Sequence, residues 1–213
     1  MVITVDGFSG CGKTTFCQRL ANAINYTFVS SGTIYRLYAF LALKHGIENV
    51  SMDFSQIKIE RNGDVCYQDQ NINEALRSPD VGKYTSQLAQ NSEIREQINN
   101  YLLKLCGDGN FVLDGRDLGV AVFPNALIKV FMYGSIEYRV NNWERGYIKR
   151  NGKPNPQEKQ KVYLDLFERD KNDAEREVSP VRPAQDAIIF KIDDISYDDM
   201  LDVVIKKYQE IMK

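Results

Sequence analysis

Val2-Ile3-Thr4-Val5-Asp6, then Gly7-Phe8-Ser9-Gly10-Cys11-Gly12-Lys13-Thr14-Thr15, is the stretch whose reading decides the fold. Val2 to Val5 are β-branched throughout and read as a buried strand. Gly7 to Thr14 fits the pattern G-x-x-x-x-G-K-[ST] at every position. Beyond it Phe16, Leu20 and Ile24 recur at helical spacing. Strand, glycine loop and helix therefore follow one another as a phosphate-binding loop requires. The glycines let backbone N–H groups converge on phosphate oxygens, and the helix N-terminus adds its positive dipole. Lys13 would reach the β- and γ-phosphates, and the Thr14 hydroxyl would ligate Mg²⁺. The alternative, a glycine-rich turn that matches by chance, has no need of the flanking strand and helix. The pattern indicates a nucleoside triphosphate site and leaves the phosphoryl acceptor open.

Working outward, further short apolar runs read as parallel strands: Thr27 to Val29, Phe111 to Leu113, Ile128 to Met132 and Ala187 to Ile192. Helical spacing separates them. Ile34, Leu37 and Leu41 follow the second strand, and Ile94, Ile98, Tyr101, Leu102 and Leu105 precede the third. Met200, Val203, Val204, Lys207 and Ile211 form a closing helix. Strands alternating with helices predict an α/β domain with a parallel sheet.

Two segments break the alternation. Ile57 to Glu60 and Val65 to Tyr67 alternate around Asn62-Gly63, which predicts a β-hairpin with a type I′ turn inside an insert of residues 48–80. Residues 139–161 carry seven Lys/Arg against Glu144 and Glu158, a net +5, and include the breaker run Asn151-Gly152-Lys153-Pro154-Asn155-Pro156. That segment reads either as a lid over anions or as a solvated surface loop.

Composition excludes several classes. The formal net charge of -2 lacks the basic excess of a general nucleic-acid binder. A single histidine, His45, rules out multi-histidine metal sites and leaves a histidine-based triad only one candidate base. Cys11, Cys17, Cys66 and Cys106 form no C-x-x-C pair, so neither zinc nor redox chemistry is indicated. Scattered thiols, no cationic leader before the first strand and no apolar run of about 18 residues place the expected location in the cytoplasm, away from membranes. A monomer is expected.

Other residues gather around the loop. Asp114 ends the Phe111–Leu113 strand, where a carboxylate acting on Mg²⁺ through water belongs, although Asp114-Gly115 is also an ordinary turn pair. Arg116 and Asp117 put opposite charges at the mouth of the same crevice. Ser30 or Ser31 would cap the next helix. Arg36, in that helix's first turns, reads alone as a surface arginine; its other reading is a fork for a second phosphate. Val162, Leu166, Arg169, Asp173 and Arg176 fall on one face of a helix running from Asn155 to Val178, either aimed at a site or an exposed charge ladder.

These pieces resemble the bacterial-type cytidylate kinases, the CMP/dCMP branch of the nucleoside monophosphate kinases, over almost the whole chain. The likeness lies in the loop at 7–15, S-G-T-I-Y-R (31–36), T-S-Q-L-A (85–89), I-R-E (94–96), D-G-R-D-L-G-V-A-V-F-P (114–124), E-R-D (168–170) and E-V-S-P-V-R-P-A (177–184). It implies a phosphate-loop parallel sheet flanked by helices, a small antiparallel insert in the monophosphate-binding region and a mobile lid. The corresponding division is a core of 1–47, 81–136 and 178–213, the 48–80 insert and a lid of 137–177. The implied chemistry is phosphorylation of CMP and dCMP by ATP with Mg²⁺. By that likeness Gly7 to Thr15 bind ATP, and Arg36 and Arg116 hold the acceptor phosphate. Ser31, Arg95, Asp117 and Arg176 surround the pyrimidine, and Ser86, Arg169 and Asp173 address the ribose. Lys13, Arg116, Arg169 and Arg176 carry the charge of transfer.

The chain departs from the family pattern in places. Ser30 stands where Asp is usual, Phe8 for Pro, Cys11 for Ala and Thr14 for a frequent Gly. Asn141-Asn142-Trp143 replaces a region with paired arginines, and Lys171-Asn172 an acidic-arginine pair. The loop survives these changes; rate and strictness for cytosine are what they touch. Two other readings stay open: a kinase for another acceptor such as UMP, and a weakly active nucleotide-binding regulatory module.

Overall fold

The computed structural model describes residues 1–46 and 54–213. Its elements are β1 (Val2–Gly7), α1 (Lys13–Ile24), β2 (Thr27–Ser30), α2 (Ser31–His45), β3 (Ile57–Ile59), β4 (Val65–Tyr67) and β5 (Gln70–Asn71). They continue as α3 (Pro79–Leu88), α4 (Ser92–Leu105), β6 (Phe111–Asp114), β7 (Ile128–Tyr133), α5 (Ile136–Asn151), α6 (Pro156–Glu175), β8 (Ile188–Lys191) and α7 (Tyr197–Ile211). The first residues of the expected insert, 48–53, lie outside the described residues.

All five expected strands pair in parallel, in the order β2-β6-β1-β7-β8. Both faces of the sheet are covered along β2, β6, β1 and β7, which is why those strands read as near-continuous apolar runs, whereas on the edge strand β8 Ile189 is exposed. Leu113 points into a cluster with Ile34, Leu37, Ile98 and Leu102 under α2 and α4. Its neighbour Val112 points the other way, against Phe16, Leu20, Met200 and Val204 of α1 and α7. On α7 only part of the predicted stripe is inside: Met200 and Val204 are buried, whereas Val203 and Ile211 are exposed. From β1 the chain proceeds to β2 and β6 on one side and to β7 and β8 on the other. A crevice therefore opens at the carboxyl end of β1, where ligands bind in such sheets.

The insert carries three antiparallel strands, β3-β4-β5, and its turns differ from expectation. At Asn62-Gly63 no type I′ turn forms. Gly63 N–H donates to the Glu60 carbonyl at 2.8 Å, and Gly63 alone in the loop has a positive φ, +89°. This is the three-residue loop with a bulge glycine. Asn62 is held out of the left-handed region by its side chain, which accepts from Asp64 N–H at 3.0 Å in an Asx turn. The two-residue turn with both φ positive lies between β4 and β5, at Gln68 (52°) and Asp69 (60°).

The basic segment after β7 is not a loop. Ser135 caps α5, accepting from Tyr138 N–H at 3.2 Å. Gly152, at φ +81°, ends it. Asn155 and Glu158 form a reciprocal capping box at the start of α6, with Pro156 in the first turn. The breakers therefore make only the turn of a helical hairpin. Three contacts hold its two arms together: Lys159–Glu144 at 2.7 Å, the Tyr147 hydroxyl donating to Glu158 at 2.7 Å, and Arg139–Asp170 at 2.6 Å. α6 stops at Glu175, so Arg176 is an extended capping residue and not part of the helical face.

Candidate active site

The phosphate loop folds as its glycines dictate. Gly10 (φ +75°) and Gly12 (φ +77°) adopt left-handed backbone that other residues avoid. A Cβ at Gly12 would also lie 2.6 Å from the Tyr197 hydroxyl, which donates to the Gly12 carbonyl and so ties α7 to the loop. Lys13 lies across the loop, its Nζ donating to the Phe8 carbonyl at 2.6 Å. Burial, reinforced by the Arg116 charge, pulls the Lys13 ammonium down to about 8. Thr14 Oγ1 donates to Asp114 Oδ2 at 2.6 Å, which puts a hydroxyl and a carboxylate side by side at the ends of α1 and β6. Both are hard oxygen donors suited to Mg²⁺. Among the described residues no three His, Cys, Asp or Glu side chains form a metal cage. An ion at the Thr14–Asp114 pair would therefore take its other ligands from phosphates and water.

A cleft of about 740 Å³ leads from this loop. It is lined by Ser9, Gly10, Gly12, Lys13 and Thr14, and by all nine residues expected around the acceptor. Gly7, Phe8, Cys11 and Thr15 do not line it. A Cβ on Gly7 would collide with the Met132 carbonyl, and Phe8 packs edge-on to Phe131 with ring centroids 6.3 Å apart. Cys11 is buried in the core, where burial pushes its thiol up, and Thr15 faces solvent.

Three arginines meet midway along the cleft. Arg116 donates through Nη2 to Ser9 Oγ and through Nε to Asp173 Oδ2, each at 2.7 Å. Arg36 donates to the Leu76 carbonyl at 2.9 Å. A Cβ on Gly82 of α3 would sit 3.7 Å from both Arg36 Nη1 and Arg169 Nη2, so those guanidiniums flank one glycine. Burial, then the charges of Arg169, Arg116 and Arg77, all weaken Arg36's hold on its proton. Such a group of like charges is a place for an anion.

The far end is a buried ion cluster. Arg95 Nη2 donates to Asp117 Oδ2 at 2.6 Å and Arg176 Nη2 to Asp117 Oδ1 at 3.2 Å. Arg95 also lies 5.9 Å over the Tyr35 ring. Arg95 Nε and the Tyr35 hydroxyl are buried without a hydrogen-bond partner, two donors waiting in an otherwise paired cluster. Ser86 lines the cleft with its hydroxyl on the Gly82 carbonyl, 3.5 Å away. Ser30 stands at the N-cap of α2 but its side chain makes no capping bond, and Ser31 is the helix's first residue. Ser31 Oγ instead donates to the Asp114 carbonyl at 2.7 Å, bracing the strand end that carries the site.

Two residues that shape the site escaped the sequence reading. Asp6 accepts from Leu118 N–H at 2.9 Å and Gly119 N–H at 2.7 Å, and so fixes the single π-helical turn, Leu118–Val122, that follows Asp117. Its signal was a charge closing a β-branched strand. In the sequence Arg139 is one charge of the basic segment 139–161. It is buried, donates to the Ser9 carbonyl at 2.8 Å, and lies 5.9 Å over the Phe8 ring. No local feature of the sequence sets it apart from Arg145, which is exposed on the same helix.

Fold and site together define a phosphate-loop kinase. A protein-family model described as cytidylate kinase matches residues 3–210. The cytidylate kinase of Thermotoga maritima is 31% identical, over 99% of this chain and 97% of its own. That of Anoxybacillus flavithermus is 32% identical, over 98% of this chain and 96% of its own. The fold is shared with the crystal structure of an uncharacterized protein from Eubacterium ventriosum, at a TM-score of 0.55 and 13% identity over 97% of this chain and 96% of that one. The chain belongs to the cytidylate kinase family, a family of nucleoside monophosphate kinases.

Proposed function

We propose that the protein transfers the γ-phosphoryl group of ATP, reversibly and with Mg²⁺, to CMP and dCMP. The observation that carries this reading is the Arg95–Asp117–Arg176 cluster at the end of the cleft away from the phosphate loop. Cytosine presents an exocyclic amino donor beside ring acceptors. A carboxylate oxygen accepts more than one hydrogen bond, so Asp117 serves that amino group while still paired to its arginines. The unpartnered Arg95 Nε and Tyr35 hydroxyl supply donors for the ring. Uracil has a carbonyl in place of the amine, and Asp117 repels it.

The remaining roles are those the family likeness implies, and the residues' common lining of the cleft supports them. Backbone N–H groups of residues 9–15 and the Lys13 ammonium hold the donor phosphates. Arg36 and Arg116 grip the acceptor phosphate, and Ser86, Arg169 and Asp173 address the ribose, with Ser31 bracing the strand end beside the base. Arg116, Arg169 and Arg176 stabilise charge on the transferring group, which needs positioning more than covalent help. Thr14 and Asp114 fit Mg²⁺, Asp114 through water; when bound, the ion neutralises charge on the β- and γ-phosphates. We assign 137–177 as a lid that closes to exclude water, 48–80 as the insert that closes over the acceptor, and the rest as core. We place the activity in the cytoplasm, in a monomer that needs neither nucleic acid nor membrane; no helix of the described residues is long and apolar enough to cross a membrane.

Phosphorus NMR of ATP, Mg²⁺ and CMP with the protein tests this directly. ADP and CDP should appear together, and Lys13→Ala should form neither while keeping its circular dichroism spectrum. ADP with inorganic phosphate and no CDP would mean hydrolysis without transfer and would remove the kinase assignment.

A further inference from the structure

α6 runs the length of the cleft and measures it. Leu166 covers the phosphate loop: a Cβ on Gly10 would sit 3.2 Å from Leu166 Cδ2 and 3.4 Å from Arg139 Cβ. Further along, Asp173 reaches Arg116, and Arg176, just past the helix, reaches Asp117. From Leu166 to Arg176 is about 15 Å at the α-helical rise. With the acceptor on that side, a triphosphate seated on the loop points its γ-group toward Arg116. Its nucleoside then trails the other way, toward the start of α6.

That end of the cleft is aromatic. Trp143 stands one helical turn after Arg139, whose guanidinium touches the loop at Ser9. The hairpin pairs Tyr147 with Glu158 and Arg139 with Asp170, a register that sets Trp143 across from the turn of α6 between Val162 and Leu166. Trp143, Val162 and Leu166 all line the cleft. The indole is half-buried and backed by Tyr147, with ring centroids 4.9 Å apart and planes 41° apart. Tyr147 is in turn held by its hydrogen bond to Glu158. A large, rigid aromatic surface thus borders the site, and none of the roles assigned above uses it.

We propose that Trp143 is the platform for the base of the phosphoryl donor. The purine of the incoming nucleoside triphosphate stacks on the indole, with Val162 and Leu166 enclosing it. The inference rests on the loop at 9–14 as the donor site and is independent of which monophosphate accepts. Stacking rewards ring area and reads no hydrogen-bond code, so ATP and GTP serve alike and single-ring donors bind more weakly.

The chain has one tryptophan, so its emission reports this ring alone. Titrated into the protein without acceptor, ATP should quench the emission to saturation. Inorganic tripolyphosphate, which fills the loop without a base, should leave it unchanged. Equal quenching by tripolyphosphate, or none by ATP at concentrations that saturate binding by calorimetry, would overturn the proposal. Trp143→Leu should raise the KM for ATP roughly tenfold or more, with the KM for CMP and the melting temperature unchanged, while Trp143→Phe recovers most of the loss. A wild-type donor KM in Trp143→Leu would also overturn it. If the wild type phosphorylates no CMP, the acceptor assignment fails, yet the fluorescence titration still decides the donor platform.

Discussion

Asp117→Asn removes one charge and keeps the shape of the acceptor end. In the folded protein Asp117 Oδ2 takes a hydrogen bond from Arg95 at 2.6 Å and Oδ1 one from Arg176 at 3.2 Å, all three side chains being buried. The asparagine amide retains one acceptor oxygen and turns an N–H₂ toward a guanidinium or toward the base. Two losses follow. Removing one partner of a buried ion pair outright costs about 3–5 kcal/mol; with one hydrogen bond retained, the cost here is about 2–3 kcal/mol. In a chain of 213 residues that lowers the melting temperature by roughly 5–10 °C. The second loss is catalytic. Replacing a hydrogen bond to a charged acceptor by one to a neutral amide costs about 1.5–3 kcal/mol, or roughly a 10- to 150-fold fall in kcat/KM for CMP. UMP should fall far less, because the amide donates to the uracil carbonyl, so the ratio of CMP to UMP collapses toward one. A coupled ADP-release assay, run well below the variant's melting temperature, gives both ratios. A lowered melting temperature with an unchanged CMP to UMP ratio would refute the reasoning, since Asp117 would then serve only to hold two arginines.

Three further outcomes follow from buried charges. Lys13 sits near pH 8 in the free protein through burial and the Arg116 charge; donor phosphates restore its proton, so ATP binding at pH 8 should take up as much as about half a proton. Calorimetry in buffers of different ionisation enthalpy measures this, and buffer-independent heats would contradict it. Asp6 is lifted from 3.8 to about 6 by burial, opposed only in part by its bonds from Gly119 and Leu118. The folded state holds this proton more tightly than the unfolded state, so the stabilisation is complete below about pH 4 and lost as pH rises through 6. Relative to Asp6→Asn, the wild type should lose as much as about 3 kcal/mol between pH 4 and 7; parallel urea-denaturation curves across that range would exclude it. Arg139→Met strips the Ser9 carbonyl of its donor and leaves half-buried Asp170 without its counter-charge. It should cost about 3 kcal/mol in urea melts and raise the KM for ATP more than that for CMP, and a loss below about 1 kcal/mol would show the pair to be dispensable.

What could be read from the chain was what is local. The loop from Gly7 to Thr14 declares itself because each glycine and the lysine act within one turn of backbone, and the five strands announce themselves as short β-branched or aromatic apolar runs. What could not be read depends on who faces whom. Asn62-Gly63 is the strongest short-range signal for a type I′ turn, yet the Asn62 side chain prefers Asp64 and the turn moves to Gln68-Asp69. α3 escaped notice because Gly82 sits within it; a Cβ there would meet Arg36 and Arg169 at 3.7 Å, an ordinary contact, so the fold sets no steric demand for that glycine. Arg139 has the composition of a surface arginine and the burial of a core residue. Arg176 was placed on a helix that ends one residue too early; its side chain still reaches Asp117 from an extended backbone.

The most direct measurement is kcat/KM for CMP, dCMP, UMP, AMP and GMP with ATP and Mg²⁺, taken side by side on the wild-type chain. With Asp117 held between Arg95 and Arg176, CMP and dCMP should exceed each of the others by roughly a hundredfold or more, since a site built around one buried polar pattern rejects what leaves it unpaired. A rate with UMP equal to or above that with CMP would contradict the assignment of this cluster to cytosine, and with it the proposed reaction.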